Sequence, residues 1–420
     1  VGCDNSIQQP EKDSSLFDKG LFNEALESTA EAQATYITKA NEYLANNSFD
    51  EFDIILSKIN DASTKQQLVE EKIKSLTNIQ NKYLLSSIGI IIEDDNSTDY
   101  ESIHIVAITQ DGKVLLSNAE NTKIEGDSVE RKAIDNPDGS EGILVTQTRA
   151  LSYIGEWNNV VSIETQDSYI LGLTTEGTAL TAGSDLDGAN AIDPFMGSES
   201  VWYNEVRNNK KLIASISAGN SHSLAVTTDN AVLTCGFQFP FNAYPDKYEW
   251  DKIPVSAFDW KDIIAVAAGL DHSIGLKTDG TAVSCGGNYS KQGNVGSWTN
   301  IVSVKAGNSF TVGLRYDGTI VFTGNNLNFK EDAIAVDFNT WKDIIRIEAG
   351  LKIIAGIKND GTVLLTGDGS DKFEDVKSWT NIVDIAVTEE GIVGLKSDGT
   401  LISTFDNQEE IENWTDIMIK

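Results

Sequence analysis

Two hydrophobic periods divide this chain. From Leu16 to about Ser86 apolar residues recur every three to four positions, with no Pro and no Gly after Gly20, so this stretch predicts helices. Tyr43, Leu44, Phe49, Phe52, Ile55, Leu56 and Ile59 share one face across a turn at Asn46 to Ser48, and Leu68, Ile73, Leu76, Ile79 and Tyr83 continue it. From residue 87 onward the pattern changes to short apolar runs broken by Asp-Gly, Asn and Gly, which predicts strands joined by tight turns.

The strand region is self-similar. "WKDIIAVAAGLDHSIGLKTDGTAVSCG" from Trp260, "WTNIVSVKAGNSFTVGLRYDGTIVFTG" from Trp298, "WKDIIRIEAGLKIIAGIKNDGTVLLTG" from Trp341 and "WTNIVDIAVTEEGIVGLKSDGTLISTF" from Trp379 align without a gap. Copies from Trp157 and Lys210 follow the same frame, and "SIHIVAITQDGKVLLS" from Ser102 keeps the second half alone. Each copy predicts one half-buried strand and then a hairpin. The hairpin turn requires a residue tolerant of positive φ: Gly112, Gly177, Gly280, Gly318, Gly361 and Gly399 supply it, and Asn230 in the remaining copy.

Two more columns carry structural meaning. Ala107, Gly172, Ala225, Gly275, Gly313, Gly356 and Gly394 are small residues in the middle of an apolar strand, as expected where another backbone approaches around a common axis. Leu115, Leu180, Leu233, Val283, Val321, Leu364 and Ile402 are uniformly large, as packing between successive sheets requires. The chain ends on "WTDIMIK" from Trp414, the strand that the Ser102 copy lacks. Pairing the two in one blade would seal a ring and hide its sheet edges.

The Trp opening, the Ala-Gly pair with a following His or aromatic, Gly-Leu-Lys and Asp-Gly-Thr together resemble the repeats of the regulator of chromosome condensation family. The resemblance covers about residues 102 to 420 and matches the short bacterial form of the repeat. It implies a mainly β fold, a seven-bladed RCC-type β-propeller over 87–420 closed by strand 414–420, behind an N-terminal α-helical segment over 16–86. Within that segment "ANEYLANNSFDEFDIILSKI" resembles a tetratricopeptide-type hairpin, a single unit where a peptide-binding solenoid needs about three. A spacer or docking element is the expected role.

Charge narrows the partners. Lys and Arg total 32 against 64 Asp and Glu, a formal net charge of -32, so nucleic acid is repelled and is not an expected partner. The family's nuclear members act on a GTPase and on chromatin, and none of their exchange motifs can be carried onto residues of this chain. Three cysteines exclude a disulfide scaffold. The opening Val1-Gly2-Cys3 resembles the end of a bacterial lipoprotein lipobox, which makes Cys3 the expected lipidation site and residues 1–15 a flexible tether. The expected location is the bacterial cell surface, anchored by that lipid and facing outside the cytoplasm.

The candidate chemistry is sparse. His104, His222 and His272 share a repeat column with Tyr169, Phe310 and Ile353; without a Cys or carboxylate column beside them they read as structural histidines rather than a zinc site. Cys235 and Cys285 share another column and read as small buried residues. The loop "SDLDGANAID" offers Asp185, Asp187, Asn190 and Asp193 as a weak calcium candidate, lacking the late bidentate Glu of a full calcium loop. No catalytic constellation and no cofactor motif appears.

The copies differ chiefly in insertions at one position: Asn118 to Glu156, Ser184 to Asn209, Phe237 to Asp259 and Asn325 to Thr340. Insertions at one repeat position emerge on one side of a ring, and that side is the expected binding face. Two of them concentrate aromatics suited to a protein or glycan partner: Phe239, Phe241, Tyr244, Tyr248 and Trp250, with Phe195, Trp202 and Tyr203. Packing of these aromatics against their own blade is the competing expectation. The leading expectation is a monomeric, non-enzymatic lipoprotein that binds a protein or cell-wall glycan; the alternative is a carbohydrate-active or lyase-type enzyme with carboxylates at the axial mouth.

Overall fold

The computed structural model describes residues 30–93, 102–117, 128–135, 141–149, 151–166, 169–185, 211–220, 222–236, 257, 259–325, 338–405, 411 and 413–419. The chain divides into two compact units, residues 1–75 and 76–420. The first holds α1 (Ala30–Ala45), α2 (Phe49–Ser57) and most of α3 (Ala62–Gln80). Tyr36, Ala40, Leu44, Phe49, Phe52, Ile55, Ile59 and Leu68 are buried. Lys72 closes its edge, with its ammonium 2.7 Å from Asp53 and 5.8 Å from the ring centre of Phe49. No helix among the described residues is long and apolar enough to cross a membrane.

The second unit is a ring of seven blades, each an inner, a middle and an outer strand in antiparallel order. The inner strands are Ile88–Glu93, Val160–Gln166, Ile213–Ala218, Ile263–Ala268, Ile301–Ala306, Ile344–Ala349 and Ile382–Val387, and each neighbours the next until the seventh meets the first. The small column and the large column face each other across the middle and outer strands of every blade: Ala107 pairs with Leu115, Gly172 with Leu180, Ala225 with Leu233, Gly275 with Val283, Gly313 with Val321, Gly356 with Leu364 and Gly394 with Ile402. The physical reason for the small column differs from the expected close backbone. In five blades the blade's own indole packs on the glycine: Trp157, Trp260, Trp298, Trp341 and Trp379 lie against Gly172, Gly275, Gly313, Gly356 and Gly394, and only at Gly313 is another atom, Val321 Cγ2, as close.

The hairpin turns lace the blades together at one end of the ring, called here the turn end. Gly280 sits at φ 79° and its carbonyl accepts the Ile301 N–H of the next blade at 2.9 Å; Gly112, Gly177, Gly318 and Gly361 do the same for Val160, Ile213, Ile344 and Ile382. Asn230, at φ 63°, replaces the glycine in the third blade. At the opposite end the outer strands stop and the insertions begin, so it is called the insertion end. The first insertion contributes a hairpin, Ser128–Asp135 and Glu141–Arg149, that pairs onto Ala179–Asp185 and widens the second blade to five strands.

The first blade closes the ring with a composite strand. Ile417 bridges Thr109, and Met418 N–H donates to Ile108 O at 2.8 Å, so the chain's end does enter this blade. It supplies the head of the inner strand only. Ile108 N–H donates to Ser87 O, and Ile88–Glu93 carries the strand onward against Ser102–Ile108. Residues 87–93 thus take the place that the rest of "WTDIMIK" would need, and Ile419 is left exposed.

Candidate functional site

Opposite the small column stands an apolar residue in every inner strand: Ile88, Ile163, Ile216, Val266, Val304, Ile347 and Ile385. Strand alternation turns its two flanking residues to the other face, toward the middle of the ring. The layer nearer the turn end is Ser87, Ser162, Ser215, Ala265, Ser303, Arg346 and Asp384. The next is Gly89, Glu164, Ser217, Ala267, Lys305, Glu348 and Ala386. Small residues are the rule in both, since seven side chains converge there. The five charged residues are the exceptions.

Those five assemble into two groups. Lys305 Nζ lies 2.8 Å from Glu348 Oε2 and 3.5 Å from Glu164 Oε1, so one ammonium of the fifth blade links the sixth blade to the second across the axis. Arg346 Nε lies 2.6 Å from Asp384 Oδ1 of the seventh blade. Burial pushes the Glu164 carboxyl above the usual range; Lys305 opposes that shift and Glu348 adds to it. Burial presses the Lys305 ammonium down, but Glu164 and Glu348 outweigh it and hold the group above the ordinary lysine value. Glu164, Lys305 and Glu348 still keep 18%, 20% and 15% of their side-chain surface, so solvent reaches them.

The turn end of the axis is occupied by the chain's own residues 80–87. Gln80 Nε2 donates to Lys277 O and Ile301 O of the fourth and fifth blades at 2.9 and 3.1 Å. Arg346 donates to Leu85 O, while Ser86 N–H donates to Ser162 Oγ and Ser87 N–H to the Asp384 carboxylate. Leu84 packs against the core between the fourth and fifth blades, Leu85 against that between the second and third. With Ser87 O accepting the Ile108 N–H of the first blade, one short segment touches all seven blades, which requires it to cross the axis. At the insertion end the residues two steps beyond the charged layer include Gly219, Gly269, Gly307 and Gly350, where a β-carbon would stand 2.8, 2.6, 2.9 and 2.9 Å from the carbonyl oxygens of Gly269, Gly307, Gly350 and Val387 of the next blade, so the close approach of neighbouring blades requires glycine.

Two of the histidines serve the joints between blades. His222 Nε2 lies 2.9 Å from Ser273 Oγ and His272 Nε2 lies 3.0 Å from Thr311 Oγ1, each reaching the next blade; Tyr169 makes the same reach to Ser223 Oγ at 3.0 Å. His104 instead pairs inside its own blade, Nδ1 with Ser117 O at 2.9 Å. Burial holds the His222 imidazole down at about 4, and His272 adds to the effect. Among the described residues no group of three or more His, Cys, Asp or Glu is placed to hold a metal. Cys235 and Cys285 are both buried, and burial raises the Cys285 thiol to about 11, so it is an inert core residue.

The tentative binding residues from the sequence lie outside the described residues: Phe195, Trp202, Tyr203, Phe239, Phe241, Tyr244, Tyr248 and Trp250, as do Cys3, Asp187, Asn190 and Asp193. Asp185 is the last residue of the outer strand Ala179–Asp185 and pairs in register with Gln147. One insertion can be followed at its C-terminal end, where Phe338 packs between Phe322 and Trp341 with ring centres 5.3 and 5.2 Å away, pinned to the ring. The axial charges were missed from the sequence. Their signal was a charged residue in a column that is otherwise Ser, Ala or Gly.

With blades, joints and axis described, the relatives fall into place. A sequence model of the regulator of chromosome condensation (RCC1) repeat matches residues 213–238 and 263–292, which open on the inner strands of the third and fourth blades. Over those two spans the chain matches the RCC1 repeat. No curated protein matches it in sequence. Among solved structures the RCC1-type ring is similar to the ectodomain of the Physcomitrella patens receptor kinase CR4, at 12% identity over 76% of this chain and 73% of that one, with a TM-score of 0.49. It is also similar to Prp20p of Saccharomyces cerevisiae, a protein studied for its binding to Gsp1p and histones, at 14% identity over 78% and 83%, with a TM-score of 0.48. The ectodomain of the Arabidopsis thaliana receptor kinase ACR4 gives 14% identity over 76% and 95%, with a TM-score of 0.47.

Proposed function

We propose that this protein is a surface-anchored bacterial lipoprotein whose RCC1-type ring binds a protein or cell-wall glycan at its insertion end and catalyses no reaction. The observation that carries the choice of face is the segment 80–87, which occupies the turn end of the axis and leaves the other end, where the insertions start, to a partner. Insertions on a rigid repeat scaffold are where propellers vary and bind. The aromatics of residues 237–250 and 195–203 are the proposed contacts, and the lipid on Cys3 is the proposed anchor. Capture from a cell-envelope fraction by wild type and by a Tyr248→Ala, Trp250→Ala variant tests the face: equal capture removes the aromatic loop. Mass spectrometry of the protein from cells tests the anchor, and an unmodified Cys3 thiol ends that part.

The axial carboxylates favour a second reading, a polysaccharide-cleaving propeller with Glu164 and Glu348 flanking Lys305. Turnover of a cell-wall or uronic-acid polysaccharide by wild type and its loss in Glu348→Gln would support it; no turnover across such a panel removes it.

A further inference from the structure

His272 meets the fifth blade through Nε2, which lies 3.0 Å from Thr311 Oγ1. Thr311 Oγ1 gives its one proton to Gln292 O at 2.8 Å, so toward the imidazole it can only accept. The neutral ring therefore carries its proton on Nε2, and Nδ1 is left as an acceptor. That nitrogen is buried and has no hydrogen-bond partner among the described residues. Asp271 Oδ1 stands 3.6 Å from it, a carboxylate facing a lone pair. In sequence, Ser221 holds the matching place before His222.

The same Asp271 pins a loop at the insertion end. Residues 287–294 leave the outer strand Ala282–Gly286, and Asp271 holds them twice: its carbonyl accepts the Gly287 N–H at 2.8 Å, and its Oδ1 accepts Gln292 Nε2 at 3.3 Å. Gln292 is fully buried and turns its Oε1 to the Ser290 N–H at 2.8 Å. The carboxylate lies so close over Gly287 that a β-carbon there would clash with Oδ2. His272, Thr311, Gln292 and Asp271 thus form one circuit whose open contact is Nδ1 to Oδ1.

A proton on Nδ1 turns that contact from repulsive to attractive. A charged N–H to carboxylate bond forms at about 2.7–2.9 Å, so closing it draws Oδ1 toward the ring and away from the long bond to Gln292 Nε2. The other titratable groups facing the pair keep their charge in weak acid. Burial raises the Tyr289 phenol of the loop, with Asp271 adding to the shift, and pushes Cys285 of the outer strand up to about 11. His222 of the third blade is held down at about 4 and stays neutral. The fifth blade meets the imidazole with the uncharged Thr311. Imidazole is the side chain whose ordinary titration falls at roughly pH 5 to 8.

We propose that His272 and Asp271 form an acid-operated latch on the insertion-end loop 287–294. With His272 neutral, Asp271 holds the Gln292 amide and the loop; with His272 protonated, the imidazolium takes the carboxylate and the Gln292 amide is released. That the latch acts on a binding face rests on the insertion-end reading, whereas the latch itself does not.

Nuclear magnetic resonance of the isotope-labelled full chain, titrated from about pH 8 to pH 5, tests it without a partner, so the latch and the insertion-end reading fail separately. The His272 ring should titrate in that window. The Ser290 N–H and the Gln292 side-chain amide should shift with the same midpoint, while the Ile301 N–H at the turn end stays in place. In Asp271→Asn, which cannot form the ion pair, the ring should titrate at lower pH and the Ser290 N–H should no longer follow it. A His272 ring that keeps one charge state throughout overturns the latch, as do Ser290 and Gln292 amides that stand still while the ring titrates. Both are read on the wild type, so they decide the matter even where the variant does not fold. In a folded Asp271→Asn variant, a Ser290 N–H that still follows the ring overturns Asp271 as the link.

Discussion

The indole of Trp260 occupies the space beside Gly275 so fully that a β-carbon on that glycine would stand 2.6 Å from Trp260 Cε3. The same pairing recurs in four other blades, and where the opening Trp is replaced, in the copy that begins at Lys210, the facing residue is Ala225 instead. The Gly and Trp columns are thus one steric unit. Gly275→Ala should lower stability by about 1–3 kcal/mol through overpacking, whereas Ala225→Gly should lower it by only about 0.5–1 kcal/mol through backbone entropy. Urea midpoints of the two variants check this, and the reverse order would break the link between the columns.

The belt of inter-blade hydrogen bonds makes stability depend on pH. His222 is buried with its imidazole held at about 4, below the ordinary 6.5, so the folded state excludes a proton that the unfolded chain accepts. Its contribution is complete above pH 6.5 and is lost as pH falls from there toward 4, to a total of roughly 3 kcal/mol. Glu164, held above its ordinary value, acts in the opposite sense and penalises the fold as pH rises. Because other groups titrate too, the readout is a difference: His222→Phe, which places the residue of Phe310 in the same column, should flatten the decline in urea midpoint between pH 6.5 and 4. An unchanged slope would remove His222 as its source.

Much of this ring could be read from the chain because its determinants are local and repeated. The turn residues, the small column and the large column each depend on one blade, so seven copies display each rule seven times. What stayed hidden arises between blades. Lys305 meets Glu164 only because blades two and five face each other across an axis, a relation that no sequence spacing records. The words "SVKAG" and "RIEAG" did hold a clue, since Lys305, Arg346 and Glu348 replace the Ser or Ala of sister copies. The composite strand was half legible: "WTDIMIK" announced a closing strand, but Ser87 and Ile88–Glu93 belong to no repeat word, so their place in it could not be seen.

That composite strand is a seam, held by noncovalent contacts where other inner strands are continuous chain. Ile417 is fully buried in the core between the first and seventh blades and is the main apolar grip of the terminal segment. Ile417→Ala should cost about 2–4 kcal/mol and should open this blade before the others. Hydrogen exchange reads it directly: amides of Gln110 and Met418, which bond across the seam, should lose protection ahead of those of the fourth blade. Uniform loss around the ring would show that the seam is no weaker than the other joints.

The Arg346–Asp384 pair supports the segment that fills the turn end, and its energetics should show the asymmetry of buried charge. Both side chains are largely buried, at 13% and 4% exposure, and together they reach Leu85 O, Ser87 N–H and each other. Removing one partner strands the other, so Asp384→Ala should cost about 3–5 kcal/mol. Replacing both with apolar residues, Arg346→Met with Asp384→Leu, should cost less than either single change, because no charge is left unpaired. A second readout separates local from global effects. If the pair holds residues 80–87 in place, Asp384→Asn should raise hydrogen exchange at Ser86 and Ser87, whose contacts converge on this carboxylate, before it lowers the global midpoint. Additive losses in the double variant would show that the two residues act independently.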